Sequence, residues 1–221
     1  VEISINNNTI SNLGSLSYTG IFMSRSELDN LIGNTIYGME QGINIDGNSV
    51  IYNVTNNTIY NSIYGIRLTD SNGIIHNLSS NLFSNISGQT VFNNGFIYNI
   101  QFNAFDQLAS FHGDGSYPNL LGEINQNNLN GHPSDTCYNI FINNPMFTDI
   151  ESGNFTPLLG SPLIDAGDIE QMDPDGTITD IGAHYFDQSS ISPVIQSINS
   201  SQIYGSYPLH VQLTAEVDGP V

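Results

Sequence analysis

Along the first 140 or so positions, apolar residues fall into short alternating runs broken by Gly, Asn or Ser. Ile21-Phe22-Met23, Ile43-Asn44-Ile45 and Ile66-Arg67-Leu68 follow directly on Gly20, Gly42 and Gly65. Period-two alternation over so few residues, punctuated by turn formers, predicts β-strands and not helices. The pattern also recurs. The string Asn, any residue, apolar residue appears as Asn8-Thr9-Ile10, Asn34-Thr35-Ile36, Asn57-Thr58-Ile59, Asn81-Leu82-Phe83, Asn103-Ala104-Phe105 and Asn127-Asn128-Leu129. Successive Asn residues stand 26, 23, 24, 22 and 24 positions apart. Three residues before each stands an aliphatic, Ile5, Leu31, Val54, Leu78, Ile100 and Ile124, and four copies add a second Asn one residue earlier, at Asn30, Asn53, Asn77 and Asn99.

A unit of this size cannot bury its own few aliphatic side chains, whereas units stacked in register form a continuous apolar column. The six aliphatics are therefore expected inside a solenoid. Aligned Asn side chains can hydrogen-bond to the copies above and below, as stacked amides do in cross-β assemblies, and Asn tolerates the bent backbone between strands. Asn7, Asn53, Asn56, Asn77, Asn85, Asn154 and Asn199 also fall in glycosylation sequons. In so Asn-rich a chain, ladder or turn use is the favoured reading of most of them.

The repeat resembles that of the right-handed parallel β-helix proteins of the pectate-lyase-like superfamily, over roughly residues 1–145. The handedness is implied by the resemblance alone. Beyond it come Asn144-Pro145-Met146-Phe147, then Gly160-Ser161-Pro162-Leu163-Ile164-Asp165-Ala166-Gly167-Asp168, then Asp180-Ile181-Gly182-Ala183-His184-Tyr185-Phe186. This order is similar to the closing segment of many bacterial surface β-helix proteins, which implies a cap over apolar rungs and open strand edges. Gly205-Ser206-Tyr207-Pro208-Leu209-His210-Val211 resembles the second strand of a PKD or other immunoglobulin-like domain. The expected class is all-β: a right-handed parallel β-helix solenoid followed by the beginning of an immunoglobulin-like β-sandwich. Rungs occupy 1–145, the closing segment 146–187, a linker 188–193, and an incomplete sandwich domain 194–221, too short to close.

Charge narrows the partners. The chain has 221 residues, 21 of them acidic against only two basic, Arg25 and Arg67, for a formal net charge of −19. Such a surface repels phosphate backbones and anionic membrane faces, which excludes nucleic acid, and it attracts cations. With 38% hydrophobic residues and eleven each of Tyr and Phe, the chain is nevertheless globular and not disordered. Cys137 stands alone, so no intrachain disulfide forms, and it reads as a bystander thiol. No apolar run approaches the roughly 20 residues of a membrane span. The chain opens on Val1 inside a patterned strand, without a leader-like segment, and reads as a mature piece or fragment of a longer polypeptide.

Two sets of residues are candidates for chemistry. Asp106 is followed by Phe111-His112-Gly113-Asp114-Gly115 in a long inter-rung loop. Asp106, His112 and Asp114 could serve as a glycosidase-like acid/base set, against the plainer and favoured reading of a Gly-rich turn with a solvated His. Asp165, Asp168, Asp173, Asp175 and Asp180 crowd into sixteen residues around Gly167 and Gly176, the oxygen-rich, Gly-turned arrangement that a structural calcium ion uses. Without an ion they are Asx-turn formers. The resemblance implies lyases with a Lys or Arg base beside calcium, but the chain has no Lys, and Arg67 points away from Ile66 and Leu68. The residues therefore favour an extracellular structural or adhesive module on a bacterial or archaeal surface, with polysaccharide or other surface proteins as partners. The alternative is a carbohydrate-active enzyme, a lyase or hydrolase acting in the β-helix groove; fold alone does not assign function.

Overall fold

The computed structural model describes residues 1–12, 14 and 17–189, and the strands at 194–200 and 213–218. Five turns of three strands make the body of the chain. They are β1 (Ser4–Asn6), β2 (Thr9–Ser11), β3 (Thr19–Ser24); β4 (Glu27–Ile32), β5 (Thr35–Tyr37), β6 (Gln41–Asp46); β7 (Val50–Thr55), β8 (Thr58–Ser62), β9 (Tyr64–Leu68); β10 (Ile74–Ser79), β11 (Leu82–Ile86), β12 (Val91–Asn93); and β13 (Phe96–Gln101), β14 (Ala104–Asp106), β15 (Phe111–His112). First, second and third strands of successive turns pair in parallel to give three sheets, A, B and C. The result is a parallel β-solenoid, with no helix among the described residues.

Register carries the apolar columns inward. Leu31, Val54, Leu78 and Ile100 are aligned by pairing and fully buried, with Ile5 half-buried at the open first turn. In sheet B, Ile10, Ile36, Ile59, Phe83, Phe105 and Phe141 form one column, and the Phe83 and Phe105 rings stack at 5.2 Å. Each such side chain contributes about 1.5–3 kcal/mol by leaving water. Gly42 and Gly65 open the third strands because the coil is tightest there. A Cβ on Gly42 would lie 2.7 Å from both Gly65 O and Ile59 Cγ2, and one on Gly65 would lie 2.4 Å from Thr90 O.

The bend between sheets A and B has its own column. Asn7, Gly33, Asn56, Ser80, Phe102 and Tyr138 all have φ between 51° and 67°. This left-handed conformation suits Gly and Asn and strains most side chains. The next residue in each turn is the ladder Asn. Side-chain amides connect Asn8 to Asn34, Asn34 to Asn57, Asn57 to Asn81, Asn81 to Asn103 and Asn103 to Asn139 at 2.9–3.0 Å, and Asp135 accepts from the last at 3.1 Å.

The sixth rung differs from expectation. Asn127 is exposed in β16 (Gln126–Asn127), and Ile124 is 51% exposed. The chain leaves the coil after β15, pairs β16 with β17 (Pro133–Ser134) antiparallel, and re-enters at Asn139, just before β18 (Ile140–Ile142). Tyr117 and Leu121 of this excursion pack against the inner core.

The closing segment lies along the side of the rod. It begins with the hairpin β19 (Phe147–Asp149) and β20 (Asn154–Pro157). Phe147, Phe155, Leu163, Ala166 and Ile181 bury against Leu82, Ala104, Ile140 and Ile142 on the outer face of sheet B, a second core distinct from the interior of the coil. Thr35 and Thr58 continue that face and are buried as well. The hydroxyl of Thr35 lies 2.9 Å from His184 Nε2, and that of Thr58 accepts from Ala183 N at 2.9 Å. Asn56, in a sequon, donates to Asp180 O and Thr179 Oγ1, a turn and docking role.

Residues 187–221 form a separate unit. In it β21 (Val194–Ser200) pairs antiparallel with β22 (Leu213–Asp218). The Gly205–Gln212 stretch that carries the sandwich resemblance, and most of the linker, lie outside the described residues.

Candidate functional site

The outward face of sheet A carries two adjacent columns. The Tyr52 and His76 rings stack with centroids 4.8 Å apart, Tyr98 tilts against His76 at 5.2 Å, and the hydroxyl of Tyr52 donates to Glu27 at 2.8 Å. That bond and the carboxylate charge raise the Tyr52 hydroxyl above its ordinary pKa. Beside the rings run Asn30, Asn53, Asn77 and Asn99, in register. Asn53 donates to Asn30 and Asn99 to Asn77, both at 3.0 Å, but the column is broken in the middle, where Asn77 Nδ2 turns to Ser79 Oγ at 3.2 Å. The closing segment overhangs this column through Asp168 and Gln171, and between them is a groove of about 640 Å³.

The acid/base candidates do not share one strand or one sheet. Asp106 belongs to sheet B, where it accepts from Ile86 N and lines a cleft of about 980 Å³ with Tyr60, Asn85 and Gln107. His112 belongs to sheet C and is exposed, as is Asp114 in the turn after it. Arg67 lies outward on sheet C with its guanidinium carbon 4.7 Å from the Tyr64 ring centre and 5.4 Å from that of Phe92. These are cation–π distances, and they hold Arg67 against aromatic faces.

The aspartates of the candidate calcium loop accept hydrogen bonds from the chain around them. Buried Asp180 accepts from Asp165 N and from Phe186 N, both at 2.7 Å, one on each carboxylate oxygen. Asp173 accepts from Asp180 N at 2.7 Å, Asp175 from Thr177 N and Oγ1, and Asp168 from Glu170 N. Burial outweighs these amides and, with Asp173 and Asp165 nearby, pushes Asp180 up to about 7; Asp173 is raised for the same first reason. Among the described residues no three or more His, Cys, Asp or Glu side chains stand close enough to share a metal ion. None of the described segments is a helix long and apolar enough to cross a membrane.

Sequence reasoning identified the amide columns but not the pairing of the outer one with Asp168 and Gln171. More than 90 residues separate Asp168 from Asn77, and no local motif signals their meeting. Compared with family models, with curated proteins and with solved structures, the chain matches none.

Proposed function

We propose that this chain is a structural or adhesive module: an extracellular rod that holds further domains away from a bacterial or archaeal surface. The reading takes the coil as a right-handed member of the pectate-lyase-like superfamily, and β21 and β22 as the start of an immunoglobulin-like sandwich. The observation that supports it best is how the solenoid's outward side chains are used. Rings of sheet A stack on rings, amides bond to amides, Arg67 is laid on two aromatic faces, and the outer face of sheet B is buried. A hydrolase needs two carboxyl groups, or a carboxyl group and a base, facing one substrate bond; here Asp106 and His112 sit on different sheets. The partners that fit a chain of charge −19 are neutral glycans and surface proteins.

The test is to incubate the chain with insoluble and soluble polysaccharides, neutral and acidic. Retention on a neutral polysaccharide, with no release of reducing ends or unsaturated products, is the expected result. Turnover of any of them overturns the reading in favour of an enzyme.

A further inference from the structure

The groove between sheet A and the closing segment is lined chiefly by polar side chains from both. One wall is made by Asn30, Asn53 and Asn77 on three successive strands, the other by Asp168 and Gln171. Amide side chains both donate and accept, and a carboxylate accepts only. A groove so lined offers partners to groups that themselves donate and accept, which is the character of a hydroxyl.

Three observations narrow the ligand. First, the amides recur once per strand, at the roughly 4.8 Å spacing of paired strands, so the wall repeats along the rod axis and matches a polymer better than one compact molecule. Second, the outer amide column is not closed on itself as the buried ladder is. Asn77 turns aside to Ser79, and Asn53 Oδ1 accepts no hydrogen bond among the described residues, which leaves an amide oxygen open in mid-groove. Third, Asp168 is the groove's one charged side chain, in a chain of net charge −19, so an anionic polymer is repelled. Beside the groove, Tyr52 and His76 immediately precede Asn53 and Asn77 and lead to Tyr98, 61% exposed, an apolar edge for the C–H faces of a sugar.

We infer that this groove binds a neutral glycan chain lying along the rod axis across the second to fourth turns, with hydroxyls bonded to Asn53, Asn77, Gln171 and Asp168. The inference rests on the adhesive reading above and assigns its glycan contact to one place.

The experiment is calorimetric titration of the whole chain with neutral oligosaccharides of one to five units, drawn from β-glucans, xylans and mannans, and with an oligogalacturonate of equal length. Affinity for one neutral series should rise with length up to three or four units, and the oligogalacturonate should not bind. Gln171→Ala with Asn77→Ala should weaken binding about tenfold or more, as loss of one or two net hydrogen bonds does. Gln171 is exposed and Asn77 only half-buried, and Asn77→Ala gives up only the part-buried bonds with Asn99 and Ser79, so the double variant should melt slightly below wild type and stay fully folded at the titration temperature, which the same samples report. Binding by wild type that the double variant retains overturns the groove while leaving the adhesive module intact. Binding of the uronate as tightly as the neutral chains, or of no neutral oligosaccharide at all, overturns the inference. Cleavage of the bound oligosaccharide instead overturns the module reading and leaves the groove standing.

Discussion

Asn57 donates its side-chain amide to Asn81 Oδ1 at 2.9 Å, and the backbone N–H of Asn57 reaches the same oxygen at 2.9 Å. The oxygen of Asn57 in turn accepts from the backbone and side chain of Asn34, both at 2.9 Å. Each rung thus ties the bend of its neighbour as well as its side chain. Replacing Asn57 with Leu adds apolar area but leaves the buried backbone N–H of Asn34 without its acceptor, while Asn34 Nδ2 keeps the carbonyl oxygens of Ile5 and Ile32. At about 1–3 kcal/mol for one orphaned buried group, destabilisation on the order of 1–3 kcal/mol is expected, read as a lower urea midpoint at unchanged slope. An unmoved midpoint would show that the ladder contributes nothing net.

Leu78 lies between Val54 and Ile100 in the interior column and is fully buried. Truncation to Ala removes contacts on both sides within a coil whose backbone is fixed by pairing and has little freedom to collapse. A loss of about 2–5 kcal/mol is expected from the same denaturation experiment.

Gly42 tests the other tight corner. A methyl group there meets a carbonyl oxygen of the next turn, which cannot rotate away as a side chain end can. Gly42→Ala should therefore cost about 1–3 kcal/mol, the range for overpacking, while Gly131→Ala, with nothing within 4 Å of the added atom, should cost only what its φ of 78° imposes. Equal melting temperatures for Gly42→Ala and wild type would mean that the turns can separate at this corner.

The solenoid was legible in the sequence because each turn repeats the same physical need: an aliphatic to bury, an Asn to bond its own copy, and a Gly where backbones meet. Legibility failed where the interval changed. Asn139-Ile140-Phe141 carries the same anchor pattern as Asn34-Thr35-Ile36, but it follows Asn103 by 36 positions, and the chance match at Asn127 fell closer to the usual spacing. The placement of the closing segment was not legible. An apolar face can cover an open end or a sheet flank, and only the pairing of Leu82, Ala104 and Ile140 on the outer side of sheet B decides for the flank. The groove on sheet A depends on that placement, so it could not be read from either segment alone.

Asp180 gives the closing segment a pH dependence whose sign can be stated. Its carboxyl is raised to about 7 in the folded chain, chiefly by burial, against an unfolded value of about 3.9. Between those values the folded state binds the proton more tightly than the unfolded state does, so stability falls as pH rises. The favourable contribution is complete below about pH 4 and is gone above about pH 7. It amounts to on the order of 4 kcal/mol at most, at about 1.4 kcal/mol per pKa unit. Asp173, raised in the same direction, adds to the slope. Other groups and the net charge also move the melting temperature, so the informative quantity is the difference between wild type and Asp180→Asn. The variant cannot ionise, and it exchanges one of the two acceptors that serve Asp165 N and Phe186 N for an NH2 group. It should melt below wild type at pH 4.5, and the gap should close or reverse by pH 8. A gap that stays constant over that range would show that Asp180 ionises as readily in the folded chain as in the unfolded one.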